Sequence, residues 1–541
     1  MTVVQGLPDL RPCRDGETLI GQTPLPTNLA TRTQINAVMT GLATARALAK
    51  AGKLHGAQLA VDAVLPQART LAFAPVLADL LYIDGKLQMA THDAARAERS
   101  LDEAATLAAT AKDDALAAHI AIQLAYTIGA LAQRFPESAS LGRVARTAVQ
   151  RAGDPDDLVI DWHDAVGAVL SEQGKYDEAL PHFRDAVALA EKSKPSALAD
   201  QLGKLAAILD GAGKYVAARA PSERSIKLTE AELGPDHPDL AFALDALGAI
   251  DYDAGQYADA QRSYRRSLAI LDKLGEPATY NMTEAIEGLG NTALALGQLD
   301  EARTQHERAL AIREHAAPND PHVGDSEINL GMVLVAQGHI DEARARYGRA
   351  LAIYRAAYGP KHPQVAVALR QRAQLEMGTL DAVHDLEAAL AITVAALGPD
   401  NPEVGVDHGN LGAAYAGLHR WREAEGQYQL AIANHEKTIG PTHPMTAMAL
   451  SGLGQAMVEG HEPGRAIPIL ERALAIDDTN HAIASAAAIP RWFLVRALWD
   501  SGRDRPRARS EAARVHRDLA DAKDPTSVAI NAELDTWLRA R

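Results

Sequence analysis

Aromatic residues are scarce. Five Phe, five Trp and thirteen Tyr serve 541 residues, only 4% of the chain. That is too few to fill the large cores of the three or four globular domains that such a length would suggest. Cysteine is nearly missing: Cys13 stands alone, which excludes a disulfide framework and a cysteine-based zinc site. An excess of basic residues is lacking too. Lys+Arg number 54 against 70 Asp+Glu, a formal net charge of −16, and this argues against a nucleic-acid or anionic-membrane binder. Residues 491–541 carry eleven Lys/Arg against eight Asp/Glu, an excess too weak to reverse that reading. Long hydrophobic runs are absent as well. One long stretch without Lys, Arg, Asp or Glu is Ala115–Gln133, interrupted by His119, Gln123 and Thr127, and it reads as a buried helix pair rather than a membrane span. The opening MTVVQGLPDLRPCRDG has neither the basic nor the apolar region of a signal peptide. The expectation is a soluble, cytoplasmic protein without a membrane partner.

What is abundant is alanine and leucine in a repeating frame. Gly174-Lys-Tyr-Asp-Glu-Ala179, Gly255-Gln-Tyr-Ala-Asp-Ala260, Gly297-Gln-Leu-Asp-Glu-Ala302 and Gly338-His-Ile-Asp-Glu-Ala343 are variants of one phrase. Its last position recurs at 179, 218, 260, 302, 343, 382, 424, 466 and 508, in steps of 39 to 42 residues. A fixed period of this size means stacked supersecondary units. Each unit starts with an apolar helix carrying Leu-Gly or Val-Gly near its centre, as at Val166-Gly167, Leu247-Gly248, Leu289-Gly290, Leu330-Gly331, Leu411-Gly412 and Leu453-Gly454. Glycine there costs about 1 kcal/mol of helix propensity, so a close helix contact must offset it. Seven residues later, in most copies, a second Gly ends the helix. The next helix places small residues at its crossing point, with a larger one such as Phe183 or Tyr347 between them. Connectors such as Leu233-Gly-Pro-Asp-His-Pro238 and Leu397-Gly-Pro-Asp-Asn-Pro402 stop one helix and start the next. His237 or Asn401 then takes the N-cap.

These residues resemble the tetratricopeptide repeat (TPR). The 42-residue period with a Gly-Pro-x-His-Pro connector is similar to the kinesin-light-chain type, and the resemblance covers about 159–541. It implies an all-α fold: a right-handed superhelical solenoid of antiparallel helix hairpins. Residues 1–35 read as an irregular segment. Residues 36–158 read as about three degenerate hairpins, marked by Gly52-Lys-Leu54…Ala57, Ala97…Leu101…Ala104 and Arg134-Phe-Pro136…Val144. Residues 159–541 read as about nine units including a C-terminal capping helix. A second resemblance lies in Pro12-Cys13-Arg-Asp, Pro24-Leu-Pro26, Ala74-Pro-Val-Leu-Ala-Asp79, Gly85-Lys-Leu-Gln88 and Ala97-Glu-Arg-Ser-Leu101. These are similar to the segment following the kinase domain in myxobacterial Ser/Thr protein kinases with TPR tails. That resemblance implies either a detached tail region or a stand-alone relative. The reading is a non-catalytic interaction scaffold in bacterial signalling, and a regulatory or sensory tail acting on a Ser/Thr kinase domain is the alternative.

Catalytic motifs do not survive inspection. His516-Arg-Asp-Leu519 starts like a kinase catalytic loop, but Lys523 stands where Asn belongs and no D-F-G follows. No phosphate-binding G-x-x-x-x-G-K-[ST] occurs. Gly288-Leu-Gly290 and Gly452-Leu-Gly454 read as helix-packing glycines. His237, His362 and His443 share a connector position, but Asn401 replaces them in another copy, which suits capping rather than metal ligation. His163, within Asp161-Trp-His-Asp164, reads as part of a plain helix face. No catalytic, cofactor or metal residue is expected.

A solenoid leaves an extended concave face, and the resemblance implies that the first helix of each unit lines it. In several peptide-binding TPRs an Asn just before the repeated Leu bonds the peptide backbone. Here only Asn329 and Asn410 fit; Ala165, Lys204, Ala246, Gly288 and Gly452 stand at the other copies. A solvent-exposed polar residue is the plain alternative. Around these positions lie Asp161, Asp164, Asp200, Asp245, Asp253, Glu284, Glu287 and Asp325, with Lys204 as the main opposing charge. The expectation is a protein or peptide ligand held in a partly acidic groove and preferring basic segments. An ordinary solvated face of an acidic protein is the alternative.

Overall fold

The computed structural model describes residues 23–50, 53–91, 93–273, 282–318, 320–479, 484–520 and 525–540. Cys13, the Pro12 motif and Gly52 lie outside the described residues. The chain divides into two compact units, Met1–Glu276 and Pro277–Arg541.

The first unit contains α1 (Leu29–Lys50), α2 (Leu54–Leu71), α3 (Ala74–Ala90), α4 (Ala94–Ala111), α5 (Asp114–Tyr126), α6 (Phe135–Arg151), α7 (Asp156–Glu172), α8 (Tyr176–Ser193), α9 (Leu198–Gly211), α10 (Tyr215–Leu233), α11 (Pro238–Asp253) and α12 (Tyr257–Lys273). The second contains α13 (Met282–Ala295), α14 (Leu299–Ala316), α15 (Pro321–Ala336), α16 (Ile340–Tyr358), α17 (Pro363–Leu375), α18 (Leu380–Leu397), α19 (Pro402–Gly417), α20 (Trp421–Thr438), α21 (Pro444–Glu459), α22 (Pro463–Thr479), α23 (Ala484–Asp500), α24 (Arg505–Asp518) and α25 (Pro525–Ala540). No strand occurs among the described residues. Within each unit an odd-numbered helix pairs with the next even one as an antiparallel hairpin, and each hairpin stacks on its neighbour. The fold is an all-α array of hairpins.

The repeated alanine is the seam of every hairpin. Ala179, Ala218, Ala260, Ala302, Ala343, Ala382, Ala424, Ala466 and Ala508 are all 0% exposed. Ala57 and Ala97 hold the same place in α2 and α4 and are equally buried. In α6 Ser138 takes the position. Its hydroxyl donates to the Ala125 carbonyl at 2.7 Å, as a buried polar group requires. Val144, the residue suggested by the sequence for that hairpin, is 58% exposed: the degenerate copy runs in a different phase.

The costly first-helix glycines face the bulky residue of the second helix, always 16 positions on. A Cβ on Gly167 would stand 2.7 Å from the Phe183 ring, on Gly248 2.8 Å from Tyr264, on Gly412 2.9 Å from Tyr428, and on Gly85 2.7 Å from Leu101. Gly331 and Tyr347 meet likewise, as do Gly454 and Leu470. The glycine gives up helix propensity so that the two backbones can approach with a ring between them.

From α7 onward the turn between the two helices of a hairpin carries a left-handed residue among the described residues. Gly174, Gly213, Gly255, Gly297 and Gly338 have φ between 70° and 81°. His419 and His461 occupy the same turn with φ of 56° and 65°. The connectors behave as caps: Nδ1 of His237, His362 and His443 accepts from the backbone N–H two residues on at 3.2, 3.3 and 3.2 Å. Oδ1 of Asn401 does the same at 2.9 Å.

One expectation is corrected. The uncharged stretch after Asp114 is not a helix pair but a single run, α5 continuing as a π-helical turn, Thr127–Leu131. No Gly-Pro signal interrupts it, and Gln133, at φ 54°, ends it. The run Asp114–Leu131 is long and apolar enough to cross a membrane; here it packs against α6 and α7, with Ile120, Ile122 and Ile128 buried.

Candidate functional site

Four first helices of the first unit, α3, α5, α7 and α9, line a cavity of about 520 Å3 with help from Phe183 of α8. Tyr82 and Lys86 come from α3, His119, Gln123 and Tyr126 from α5, Asp161, Asp164, Ala165, Ala168 and Ser171 from α7, and Lys204, Ala207 and Ile208 from α9. The hairpin stack brings them together because each repeat returns its first helix to the same side of the array.

The polar groups form two clusters. On one side Lys204 Nζ bridges Asp164 at 2.6 Å and Asp200 at 2.7 Å, while Gln201 Nε2 donates to the same Asp164 Oδ2 at 2.9 Å. Burial pulls the Lys204 amine down, but the two aspartates outweigh it and hold its pKa above the ordinary lysine value. Asp164 Oδ1 is shielded from solvent and has no hydrogen-bond donor among the described residues. On the other side His119 Nδ1 lies 3.7 Å from Asp161 Oδ2, and the Tyr82 ring lies 6.1 Å from that imidazole. Burial raises the Asp161 carboxyl despite the pull of His119. Burial, with Asp161 and Asp79 adding to it, pushes the Tyr82 phenol up to about 12. The Lys86 ammonium sits 5.6 Å from the Tyr82 ring centroid.

Of the residues singled out in the sequence, Asp161, Asp164 and Lys204 therefore line one cavity, and Asp200 joins them through its pair with Lys204. The others do not join it. Asp245, on α11, is only 8% exposed, and its charge adds to burial in raising the Tyr264 phenol. Asp253 is exposed at the end of α11. In the second unit Glu284 is exposed on α13. Glu287 is gripped by Arg313 of α14 at 2.6 and 2.9 Å and accepts from the Ser326 hydroxyl at 2.8 Å. Asp325 accepts from Tyr354 Oη at 2.6 Å and lies 2.9 Å from His322 Nδ1. Asn329 and Asn410 are half-buried on α15 and α19, and neither side chain makes a hydrogen bond among the described residues.

Sequence reasoning missed Tyr82, Lys86, His119 and Tyr126, all from the part where the repeat is degenerate. It also missed the partner of His163, whose Nδ1 lies 3.0 Å from Nδ1 of His182. The connector histidines are caps rather than ligands, and no cluster of three metal-ligating side chains occurs among the described residues.

The tetratricopeptide repeat model matches residues 199–273, 281–356, 324–380 and 406–479, and a second model of the same description matches 164–193; together they take in just over half of the chain. Among solved structures, kinesin-light-chain TPR-like repeats from Podosopora anserina are 22% identical with a TM-score of 0.35, spanning 38% of this chain and 99% of theirs. BtubC (BKLC) from P. vanneervenii is 20% identical with a TM-score of 0.36, spanning 42% and 90%. The apo form of the quorum sensor NprR from B. thuringiensis is 12% identical with a TM-score of 0.46, spanning 65% and 97%. No curated protein matches the chain. The buried alanines, the glycine–ring pairs and the capped connectors recur over the same residues that the repeat models match, and the chain belongs to the tetratricopeptide repeat family.

Proposed function

We propose that the protein is a non-catalytic scaffold that holds an extended protein segment against the first helices α3, α5, α7 and α9. The cavity between them seats a basic side chain of that segment. The observation that carries this reading is Asp164. One oxygen serves Lys204 and Gln201; the other is shielded and unbonded. An acceptor left in that state costs about 1–3 kcal/mol, which a donor brought by a ligand recovers. Asp161 adds a carboxylate that is 45% exposed, and the rings of Tyr82, Tyr126 and Phe183 offer faces to a cation. Because Lys86 and Lys204 stand there too, the cavity is of mixed charge. It selects where a cation sits instead of drawing cations from a distance. We place this binding in the cytoplasm and in bacterial signalling, on the resemblance of residues 12–101 to segments of Ser/Thr kinases; a regulatory role beside such a kinase is the alternative.

The test uses the full chain and two sets of decapeptides, lysine-centred and glutamate-centred, read by fluorescence anisotropy. The lysine set binds more tightly, and Asp161→Lys weakens it roughly tenfold at low salt and less at high salt. Equal binding of both sets, or lysine-peptide binding untouched by Asp161→Lys, sinks the reading.

A further inference from the structure

A second cavity lies along another flank of α7 and belongs to no part of the peptide reading. It measures about 410 Å3 and is formed mainly by α6 and α7, with Ala125 of α5 and His182 of α8. Its floor is apolar, made of Val166, Val169 and the Trp162 indole. Trp162 Nε1 donates to the Gly142 carbonyl at 2.9 Å, which fixes the ring. Arg143 and Arg146 stand among the lining residues, and no aspartate or glutamate does, among the described residues. In a chain with a net charge of −16, an acid-free cavity carrying two guanidinium groups is an exception.

The two arginines differ. Arg146 lies over the Trp162 ring at 5.6 Å and is paired with Asp154. Arg143 has no carboxylate partner among the described residues. Its Nη1 donates to the Ala139 carbonyl at 3.1 Å and its Nη2 to the Ser140 hydroxyl at 3.0 Å, both neutral acceptors on its own helix. A guanidinium so placed keeps donors free for a planar anion. His182, also in the wall, is kept neutral: burial lowers its pKa, with Asp185 opposing. The positive charge therefore comes from the arginines.

We infer that this cavity binds a small amphipathic anion, a carboxylate on an apolar body. The head group meets Arg143 and Arg146, and the body lies on Val166, Val169 and Trp162. The ligand differs in charge from the basic segment proposed for the neighbouring cavity, although Ala165 lines both.

Decanoate is titrated into the full chain by calorimetry, with decylamine and decanol as controls. Decanoate binds one to one, decanol roughly tenfold more weakly, and decylamine not at all. Arg143→Gln weakens decanoate roughly tenfold, the loss of one charge-assisted hydrogen bond. Ala139→Trp, at an exposed helix position lining the cavity, abolishes decanoate binding while the helical melt and the binding of lysine-centred peptides stay unchanged. Decanoate binding that survives Ala139→Trp overturns the site. Decylamine binding equal to that of decanoate, or no decanoate binding up to millimolar concentration, overturns the ligand class.

Discussion

His306 fills the notch that Gly290 opens: a Cβ on that glycine would stand 2.6 Å from the imidazole Nε2. Sister hairpins put Phe183, Tyr264, Tyr347 and Tyr428 in the same notch. His306 is fully buried, and burial, with a smaller push from Arg313, lowers its pKa to about 4. Unfolded, an ordinary histidine takes up its proton near pH ~6.5. Between those values the unfolded chain binds more protons than the folded one, so stability falls as the pH drops from about 6.5 toward 4. His306 alone should remove about 2 kcal/mol between pH 7 and pH 5. His306→Tyr or His306→Phe should recover most of that difference in urea unfolding measured at the two pH values. His163, His182 and His435, whose pKa values burial also lowers, push in the same direction and leave a smaller residual loss.

Glycine-to-alanine substitutions should have opposite signs within this one protein. Gly248→Ala drives a methyl group into the Tyr264 ring, which stands 2.8 Å from that Cβ position, and overpacking of this kind costs about 1–3 kcal/mol. Gly409 on α19 and Gly426 on α20 have nothing within 4 Å of the same point. Gly409→Ala and Gly426→Ala should each stabilise by about 0.5–1 kcal/mol through helix propensity. Thermal melts of the three variants check this, and a shared sign would contradict the notch as the reason for the glycines.

His461 holds a left-handed turn at φ 65°, where five other copies have glycine. A side chain there costs roughly 1–2 kcal/mol, partly offset by the backbone freedom glycine loses on folding. His461→Gly should raise the melting temperature. His419→Gly should raise it less, because the His419 ring meets Trp421 edge-on at 5.2 Å and that contact is lost.

Arg370 stands where its sister hairpins carry the notch glycine, twelve residues before the buried Ala382. Its Nη1 reaches Asp407 at 3.0 Å and Glu403 at 3.2 Å, and Asp407 has no exposed surface. Arg370→Ala strands that carboxylate and should cost about 3–5 kcal/mol. Asp407→Ala should cost less, since Glu403 remains for the arginine. The double variant Arg370→Ala with Asp407→Ala should lose clearly less than the sum of the single losses. Additive losses in a denaturation cycle would mean that the two residues are not coupled.

Much of the fold could be read from residues 159–541. The alanine seam, the notch glycines, the left-handed turns and the caps each follow from a local rule that repeats. The first hairpins were harder for identifiable reasons. Their turns use Ala72, Lys112 and Gln133 at positive φ instead of glycine, and Ser138 replaces the seam alanine. The cavity was half visible. Asp161, Asp164, Asp200 and Lys204 come from units whose phase was clear, whereas Tyr82, His119 and Tyr126 come from units whose phase was not. Charges were the least legible. A helix announces its own aspartates, but not that Arg313 reaches over from the next helix to take Glu287, nor that Asp245 turns inward beside Tyr264. An acidic tally along first helices therefore overstates the charge a ligand meets.

The constant interval between notch glycine and ring has a bearing on how such a chain grows. Most hairpins carry their own lock, complete within 16 residues, so the fit of glycine to ring involves no residue of a neighbouring unit. A whole unit can be duplicated or deleted without refitting the locks on either side. Array length is then free to vary, while the position of a cavity such as that beside Asp161 is set by which few units happen to have diverged.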